Sequence, residues 1–442
     1  MSTSVSSQLQ IEIAQRFRSV RCRTVALCKP LTPEDMMVQS CAEASPAKWH
    51  LAHTAWFFES FILREFLPGY KLYDADFPWL FNSYYRSFDE FPEKRLRSSF
   101  SRPGLDEVMA YRTYVDEGIE RLLEGGAEPE VLKRIELGAN HEEQHQELML
   151  TDVLHAFYTN PLRPVYRHGE RGLAGDLDLA PRSQNRDPGH PASGRSEKDP
   201  LRFVEFAGGL VEVGFAGSGF CYDNELPRNR VWLEPYRLAN RLVSNGEFAE
   251  FIADGGYRKS ELWLSAGWDA VEQNGWRAPL YWNENGKGWK LFTLGGEVSL
   301  EEAQAAPVSH VSYFEADAYA RWAGKRLPTE CEWEVAADGQ PIGGNLLDEG
   351  RLRPVPVTDE GQGLCQIWGD CWEWTASAYL GYPGFEPLGG SLGEYNGKFM
   401  SGQMVLRGGS CATPKAHIRS SYRNFFQPET RWQFSGIRLA GK

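Results

Sequence analysis

The chain has 442 residues, of which 42% are hydrophobic and 13% aromatic, as in a globular protein. At roughly 100 to 200 residues per domain this length predicts two or three domains, and we expect two. Lys and Arg total 47 against 60 Asp and Glu, a formal net charge of -13. This balance argues against nucleic acid or an anionic membrane as the main partner and favours a small-molecule substrate.

The cysteines and the N-terminal stretch bear on the cellular compartment. The eight cysteines include no C-x-x-C pair, which predicts reduced thiols in a cytosol. The opening MSTSVSSQLQ lacks a basic segment followed by an apolar one, and no run approaches about 18 apolar residues. We therefore expect a cytoplasmic protein without a membrane anchor.

The first 160 or so residues have the pattern of a helical bundle. From about Gln8 to Pro161 the apolar residues recur at helical spacing, beginning with an N-terminal helix. A second helix is predicted over 46–67, with His53 on the face that points into a bundle core. Two more long helices are predicted over 104–124 and 128–157. Four such helices predict a bundle, a fold that builds metal sites from facing helices.

The last of these helices contains NHEEQHQELMLTD, in which His141 and His145 lie four residues apart. Both imidazoles therefore leave one face of the helix, and two inward rings must be neutral and must each find a partner. We interpret them as half of a metal site in preference to two structural histidines. His155 lies about 1,000° further round at 100° per residue, on another face, so the third ligand must come from elsewhere.

The same motif fits the H-E-x-x-H pattern of zinc proteases, in which Glu142 would be the general base. No H-x-x-G-x-x-H extension follows, but the sequence leaves open a third ligand further downstream. A zinc metallohydrolase is therefore the alternative hypothesis.

A long connection, Asp74 to Pro103, has no sustained period and contains Tyr84, Tyr85 and Arg86. A loop of this length in a compact domain is usually functional or disordered. From the residues alone, packing of the two tyrosines onto the bundle and a functional role are equally good interpretations.

The composition changes after the helical part. Residues 166–200 are rich in Gly, Pro, Ser, Asp and Arg, which predicts a linker between a domain over 1–165 and a domain over 201–442. After it, FVEFAGGLVEVG alternates like a pair of strands. Helices are predicted over 312–322 and 328–338 in an otherwise irregular region, so the second domain is expected to be α+β.

Motifs in both parts resemble a known domain fusion. WHLAHTAWFFE and HEEQHQELMLTD resemble the DinB-like four-helix bundle of the ergothioneine-pathway sulfoxide synthases. PVSHVSYFEADAYARWAGKRLPTECEWEVAA, WEWTAS and LRGGS are similar to the formylglycine-generating-enzyme (sulfatase-modifying factor) domain, a C-type-lectin-like α+β fold. Cys411 stands alone after RGGS, so the cysteine pair with which formylglycine-generating enzymes hold copper is missing. The resemblance implies that the second domain covers a metal site on the bundle.

The resemblance also implies the metal and the reaction. Its matching positions, His53, His141 and His145, would bind non-haem Fe(II). The implied substrates are O2, hercynine (Nα-trimethylhistidine) and either L-cysteine or γ-glutamylcysteine, joined by a C–S bond with oxidation of the sulfur to a sulfoxide. Three neutral imidazoles would leave the ion its charge and, if it is six-coordinate, three adjacent open positions. Zinc would fit the same ligands but cannot change its oxidation state.

Substrate recognition would need aromatic faces for a quaternary ammonium and guanidinium groups for carboxylates. Asn424 and Phe425 align with the substrate-binding stretch of the family. The candidate arginines are Arg86, Arg419 and Arg423, although an arginine is more often part of a surface or structural ion pair.

A neutral tyrosine close to the distal oxygen of O2 would supply a proton or a hydrogen bond. Tyr84 and Tyr85 are the candidates, with Tyr379 as the alternative. For the sulfur donor, the acidic SFDEFPE after Arg86 disfavours a further carboxylate and so favours free L-cysteine. The later Arg95, Arg97 and Arg102 would favour the dipeptide if they reach the site, so γ-glutamylcysteine stays the alternative donor.

Overall fold

The computed structural model describes residues 2–86, 90–167, 201–284, 286, 288–357, 361 and 363–442. Of the predicted linker, residues 168–200 lie outside this set, so the predicted domain boundaries stay a prediction. No helix in the described ranges is long and apolar enough to cross a membrane.

The N-terminal part is a bundle of four helices, in agreement with the sequence pattern. The four helices of the bundle are α1 (Ser2–Cys28), α2 (Ala47–Phe58), α5 (Leu105–Glu124) and α6 (Pro129–Thr159). Two short helices, α3 (Arg64–Phe66) and α4 (Phe77–Leu80), lie between α2 and α5. A π-helical turn, Glu59–Leu63, joins α2 to α3. In the bundle α1 packs on α6, and α2 packs on both α5 and α6.

Helix α2 is enclosed more completely than its sequence pattern predicts. The pattern predicts one buried face, but every residue from Ala47 to Phe58 is buried, because α1, α5 and α6 surround it. Helix α6 approaches it closely at Gly138, where a Cβ atom would lie 2.6 Å from Cε1 of Phe58. The missing side chain at this position lets the two histidine-bearing helices pack together.

The second part mixes short strands and helices. Its strands are β1 (Phe203–Phe206), β2 (Gly209–Val213), β3 (Asn229–Leu233), β4 (Tyr236–Ala239), β5 (Trp282–Glu284), β6 (Trp289–Thr293), β7 (Gly296–Ser299), β8 (Trp372–Ala378), β9 (Met404–Arg407), β10 (Asn424–Phe426), β11 (Ser435–Gly436) and β12 (Ala440–Gly441). Its helices are α7 (Asn245–Ala253), α8 (Ser265–Asn274), α9 (Leu300–Ala303), α10 (Tyr313–Trp322) and α11 (Glu330–Ala337). The largest sheet has the order β10-β9-β8-β11, with β11 parallel to β8 and the other pairs antiparallel.

The strands in FVEFAGGLVEVG exist but do not pair with each other. Strand β1 pairs with β4, and β2 pairs with β3, so the two strands belong to different sheets. Gly208, just before β2, and Gly209, its first residue, have φ angles of +70° and +108°, and this backbone turns the chain out of the first sheet. The two predicted helices are observed as α10 and α11, and each begins at a capping box, from Ser312 and Thr329 respectively.

The two parts share one apolar core, and α6 lies where they meet. Buried apolar side chains from both parts form a continuous cluster. The buried carboxylate of Glu147 on α6 accepts hydrogen bonds from Nε1 of Trp372 (2.8 Å), Oγ1 of Thr413 (2.7 Å) and Oγ of Ser410, all in the second part. The predicted combination of a helical bundle with an α+β domain is confirmed, and α6 faces both.

Candidate metal centre

The structure brings together the three histidines that the sequence suggested as ligands. His53 comes from α2, and His141 and His145 from α6; one ligand nitrogen from each ring lies within 4.8 Å of the others. Nε2 of His141 and Nε2 of His145 are 3.1 Å apart. With metal–nitrogen bonds of about 2.1 Å, two adjacent ligands of one ion sit about 3 Å apart. The separation therefore fits a shared metal ion.

The ring of His53 is held by its neighbours. It is stacked between two indoles, with Trp49 at a centroid distance of 4.4 Å and Trp56 at 5.3 Å. Its Nδ1–H donates to the backbone oxygen of Phe81 at 2.6 Å. In a neutral imidazole this bond places the proton on Nδ1 and leaves the lone pair on Nε2 for a metal.

All three rings are neutral at ordinary pH. Burial lowers the pKa of His53 and His145 well below the usual value, and the neighbouring imidazoles lower it further. Burial also lowers the pKa of His141, to about 3. Nδ1 of His141 has no hydrogen-bond partner among the described residues, and it would carry the proton of the neutral ring when Nε2 binds an ion. His53 and His141 are buried and His145 is half-buried, and such neutral, convergent imidazoles are a suitable donor set for a divalent transition metal.

Side chains of the second domain reach this centre. The ring of Tyr395 lies 5.6 Å from that of His141, centroid to centroid. Gln144, between the two histidines of α6, donates to the hydroxyl of Tyr422 at 2.7 Å and accepts a hydrogen bond from the hydroxyl of Tyr395. The ring of Tyr222 stacks on that of Tyr395 at 5.4 Å. The centre is therefore at the junction of the two domains, walled by tyrosines.

The predicted tyrosine pair lies on the bundle side of the same junction. Tyr85 is fully buried against Trp56, with ring centroids 5.5 Å apart. Tyr84 stacks on Tyr85 at 4.5 Å, and its hydroxyl donates to that of Tyr85 at 3.4 Å. Burial raises the pKa of both phenols, so both remain protonated. Since Trp56 stacks on His53, the pair lies one aromatic ring from a candidate ligand.

Two of the predicted carboxylate-binding arginines are engaged by carboxylates of the protein itself. Arg419 forms a bidentate pair with Glu225, in which Nε lies 2.8 Å from Oε2. Arg423 forms a bidentate pair with Glu330, at 2.8 and 3.0 Å. This pairing favours structural roles for both guanidinium groups, and substrate binding by them stays an untested prediction. Arg86 is exposed at the described edge of the loop, where its backbone N–H donates to Glu394.

The predicted recognition residues Asn424 and Phe425 lie on β10 and are half-buried. Phe425 stacks on Tyr379 with a centroid distance of 4.0 Å, and Phe399 lies between Phe425 and Tyr84, at 6.0 and 5.1 Å from the two rings. The structure thus connects Asn424 and Phe425 to the tyrosine pair through one aromatic ring. Tyr379, the alternative proton donor, accepts a hydrogen bond from Asn224, and its pKa is raised by burial.

The carboxylate of Glu142, which a zinc hydrolase would use as its base, points away from the histidines. It accepts hydrogen bonds from Arg21 and Arg112, each at 2.8 Å, and is fully buried between α1 and α5. Burial alone would raise its pKa, but the guanidinium groups of Arg112 and Arg21 prevail and lower it to about 2. Glu142 is therefore an internal counter-ion, and this geometry does not support the hydrolase alternative.

Comparison with known proteins agrees with this architecture. Residues 16–149 match the DinB superfamily model, and residues 191–442 match the sulfatase-modifying factor enzyme 1-like domain. A protein named hercynine oxygenase from Mycolicibacterium smegmatis is 33% identical over 90% of this chain and 91% of its own length. The chain belongs to the hercynine oxygenase family.

Two further relatives of the same name extend the match. The hercynine oxygenase of Mycolicibacterium thermoresistibile is 32% identical over 99% of this chain and 96% of its own length. That of Mycobacterium tuberculosis is 38% identical over 253 residues, which cover 52% of this chain and 58% of the relative. The fusion of the two domains is thus shared along nearly the whole chain.

Several residues of the centre were not singled out from the sequence. Gln144 lies inside the histidine motif, three residues after His141, so helical spacing alone could have placed it beside the ligands. Tyr222, Tyr395 and Tyr422 come from irregular segments of the second domain and gave no periodic signal. His50 and Asp152, whose contacts are described below, lie one turn before His53 and two turns after His145 respectively.

The pairing of Glu142 leads to a prediction about stability. Replacing it in Glu142→Gln leaves two buried guanidinium groups without their shared carboxylate, and we expect the free energy of unfolding to fall by about 3–5 kcal/mol. Metal content per folded molecule should stay at the level of the unmodified protein. The measurements are denaturant unfolding and metal analysis.

The half-buried Glu136 on the same helix offers a matched control, since its nearest cation, Arg16, is 3.8 Å away. Glu136→Gln should change stability by less than about 1 kcal/mol. Wild-type stability in Glu142→Gln together with loss of a metal-dependent hydrolytic activity would support the hydrolase alternative instead.

Proposed function

We propose that this protein is a non-haem iron(II)- and O2-dependent sulfoxide synthase that joins hercynine to L-cysteine in ergothioneine biosynthesis. The observation that carries the proposal is the centre of three convergent, neutral imidazoles, two of them buried and that of His145 half-buried, in a chain of the hercynine oxygenase family. Hercynine is inferred as the substrate from the name of the relatives, and the thiol is inferred from the resemblance of the motifs.

Iron is proposed because the ligand set and the family argue for it together. The three imidazoles contribute no charge, so zinc and iron fit them about equally, but an oxygenase needs an ion that exchanges electrons. A bound ferrous ion would supply the redox chemistry with O2 and would lower the pKa of a coordinated thiol. His53, His141 and His145 would hold it, while Gln144 and the tyrosines of the second domain limit access by water.

The tyrosine pair supplies neutral hydrogen-bond donors beside the ligands. Raised pKa values keep the hydroxyl protons on Tyr84 and Tyr85. Both phenols are therefore protonated at ordinary pH and available as proton donors. Their stacking and burial fix the hydroxyl positions before substrates bind, so little reorganisation is needed during the reaction. We therefore assign proton donation to this pair rather than to Tyr379, which belongs to the neighbourhood of Phe425.

The contacts of the arginines support free L-cysteine as the sulfur donor. A γ-glutamyl group would bring another amino-acid head group, whose carboxylate needs a cation. Arg97 is buried, donates to Oγ of Ser45 and lies 3.4 Å from the ring centre of Trp49, which gives it a packing role. Arg95 is exposed and pairs with Glu93. With Arg419 and Arg423 also paired internally, the contacts of these four arginines favour the smaller thiol.

The proposal is tested by product analysis with purified protein loaded with ferrous iron. Hercynine, cysteine and O2 should yield the C–S-bonded sulfoxide by mass spectrometry, with oxygen consumed in step. Changing His53, His141 or His145 singly to Ala should lower the iron content and abolish turnover, because each removes one of three protein ligands. His155→Gln, on another face of α6, should retain both properties. Iron binding without this product would reject the proposed function.

A second prediction concerns the tyrosine hydroxyls. Tyr84→Phe or Tyr85→Phe should leave iron and substrate affinities nearly unchanged and slow C–S bond formation by about 100-fold, with part of the thiolate diverted to sulfinic acid. A donor that acts after O2 binds contributes to the transition state rather than to ground-state binding. The measurements are single-turnover rates and product ratios.

Two further phenols serve as comparisons in that experiment. Tyr379→Phe should behave like the unmodified protein, whereas Tyr395→Phe, which loses the bond to Gln144, should mainly weaken substrate binding. Normal rates and products in both Tyr84→Phe and Tyr85→Phe, with a slow reaction in one of the other two variants, would move the donor to that residue.

A third prediction concerns the thiol. In a competition at equal concentrations, the specificity constant for L-cysteine should exceed that for γ-glutamylcysteine, because Arg95, Arg97, Arg419 and Arg423 are engaged within the protein. The measurement is the ratio of the two products. A preference for the dipeptide would contradict this prediction and would indicate that an arginine such as Arg86 or Arg102 reaches the bound thiol.

A further inference from the structure

A line of hydrogen-bonded polar side chains runs from two buried residues to His145, one of the candidate metal ligands. Oδ2 of Asp152 lies 3.1 Å from Nε2 of His50, and Nδ1 of His50 lies 2.8 Å from Nδ1 of His145. His50 and Asp152 are 2% and 7% exposed. His50 belongs to α2 and the other two residues to α6, so the line crosses between the helices that carry the ligands.

The chemistry of the three groups fixes where the protons lie. An ionised carboxylate only accepts hydrogen bonds, so Nε2 of His50 must carry the proton that it donates to Asp152. A neutral His50 then has its lone pair on Nδ1. The proton in the second bond must therefore come from Nδ1 of His145, and the lone pair of His145 is left on Nε2. That is the nitrogen that lies 3.1 Å from Nε2 of His141.

The opposite arrangement of protons is unfavourable. If His50 carried its proton on Nδ1, the lone pair on its Nε2 would face the carboxylate of Asp152 in a buried environment. His145 would then carry its proton on Nε2, directed into the metal centre. A buried donor or acceptor left without a partner costs about 1–3 kcal/mol, so the first arrangement is strongly preferred.

The end of the line is itself held in place. Oδ2 of Asp152 also accepts the backbone N–H of Ser45 at 2.8 Å, just before α2 begins. The hydroxyl of Ser45 accepts a hydrogen bond from Arg97 at 2.7 Å. A carboxylate with two donors on one oxygen has little freedom to rotate. The fixed carboxylate of Asp152 thus orients the ring of His50.

We propose that Asp152 and His50 are positioning residues that fix the tautomer and orientation of His145 as a metal ligand. This inference rests on the proposed metal site. Carboxylates and backbone carbonyls commonly orient metal-binding histidines directly. Here a second histidine is inserted between the carboxylate and the ligand, and His53 receives the equivalent support from the backbone oxygen of Phe81.

The test compares two substitutions of His50 with different hydrogen-bonding capacity. His50→Leu removes the acceptor and leaves the N–H of His145 unpaired. His50→Gln keeps one planar group with an acceptor and a donor, which can bond His145 and Asp152 together. His155→Gln is the matched control, because His155 is on α6 but contacts Ser40 instead of the ligands.

The probe is Co(II) added to metal-free protein, with the dissociation constant measured by chelator competition and the ligand field by visible absorption. We expect His50→Leu to weaken Co(II) binding about 10- to 100-fold and to shift the absorption bands. His50→Gln should recover most of the affinity, and His155→Gln should match the unmodified protein. Equal affinities and spectra in His50→Leu and the unmodified protein would overturn the proposal, as would equal losses in His50→Leu and His50→Gln.

A second measurement needs no substitution and so does not depend on how the variants fold. In protein labelled with ¹⁵N-histidine and loaded with Zn(II), nitrogen chemical shifts report which ring atom carries each proton. We expect protons on Nε2 of His50 and Nδ1 of His145, and the reverse assignment would overturn the proposal. Failure of the unmodified protein to bind Co(II) or Zn(II) would reject the metal site itself. Metal binding without the sulfoxide product would reject the proposed reaction but not the positioning role of Asp152 and His50.

Discussion

The structure depends on placing three imidazole rings in an apolar core with their lone pairs directed at one another. Lone pairs at a separation of about 3 Å repel unless a cation or a shared proton lies between them, and a hydrogen-bond partner for the other nitrogen stabilises a ring that is removed from water. His53 has such a partner in the backbone oxygen of Phe81 and His145 has one in His50, whereas Nδ1 of His141 has none among the described residues. The bundle around them serves to hold these outer partners in place, which explains why α2 is buried along its whole length.

The same requirement explains why the second domain packs so intimately on α6. Most of α6 between Leu137 and Phe157 is buried, so its polar side chains there need partners from neighbouring elements. Glu147 finds three donors in the second domain, and Gln144 finds two tyrosines there. The wall over the centre and the helix that carries the ligands are therefore one hydrogen-bonded unit, and movement of one displaces the other.

Local patterns in the sequence predict the features that depend on neighbouring residues alone, which are the positions of the helices and the side chains that share a helical face. The spacing of His141 and His145 placed both rings on one face, and apolar periodicity located the four helices of the bundle. Strands β1 and β2 were recognised as strands, but their partners, β4 and β3, depend on the turn at Gly208 and could not be read from alternation. Pairing is a property of the sheet as a whole, whereas helix formation is set within a few residues.

Long-range contacts account for the parts of the site that sequence reasoning could not resolve. Arg419 and Arg423 have the chemistry to bind a carboxylate, but their partners Glu225 and Glu330 lie 194 and 93 residues away in the chain, and no local signal indicates such pairs. Tyr395 reaches His141 from an irregular segment for the same reason. The resemblance of the motifs supplied His53 as a ligand, and the helical face only showed that it pointed inward.

Helix α6 shows that a short motif does not by itself define a reaction, because the neighbouring helices decide which partner each side chain contacts. Its segment HEEQHQELMLTD has four acidic residues, and arginines neutralise two of them from different directions: Arg21 and Arg112 pair with Glu142, and Arg16 pairs with Glu143. The pattern H-E-x-x-H fixes only that the glutamate follows the first histidine, which turns it about 100° away from that ring. In a zinc hydrolase the surroundings must bring that carboxylate back to the metal, whereas here two guanidinium groups hold it on the far side. Asp152 is the acidic side chain of this helix that is connected through hydrogen bonds to a ligand ring, that of His145. It lies seven residues after His145, the last position of the H-E-x-x-H pattern.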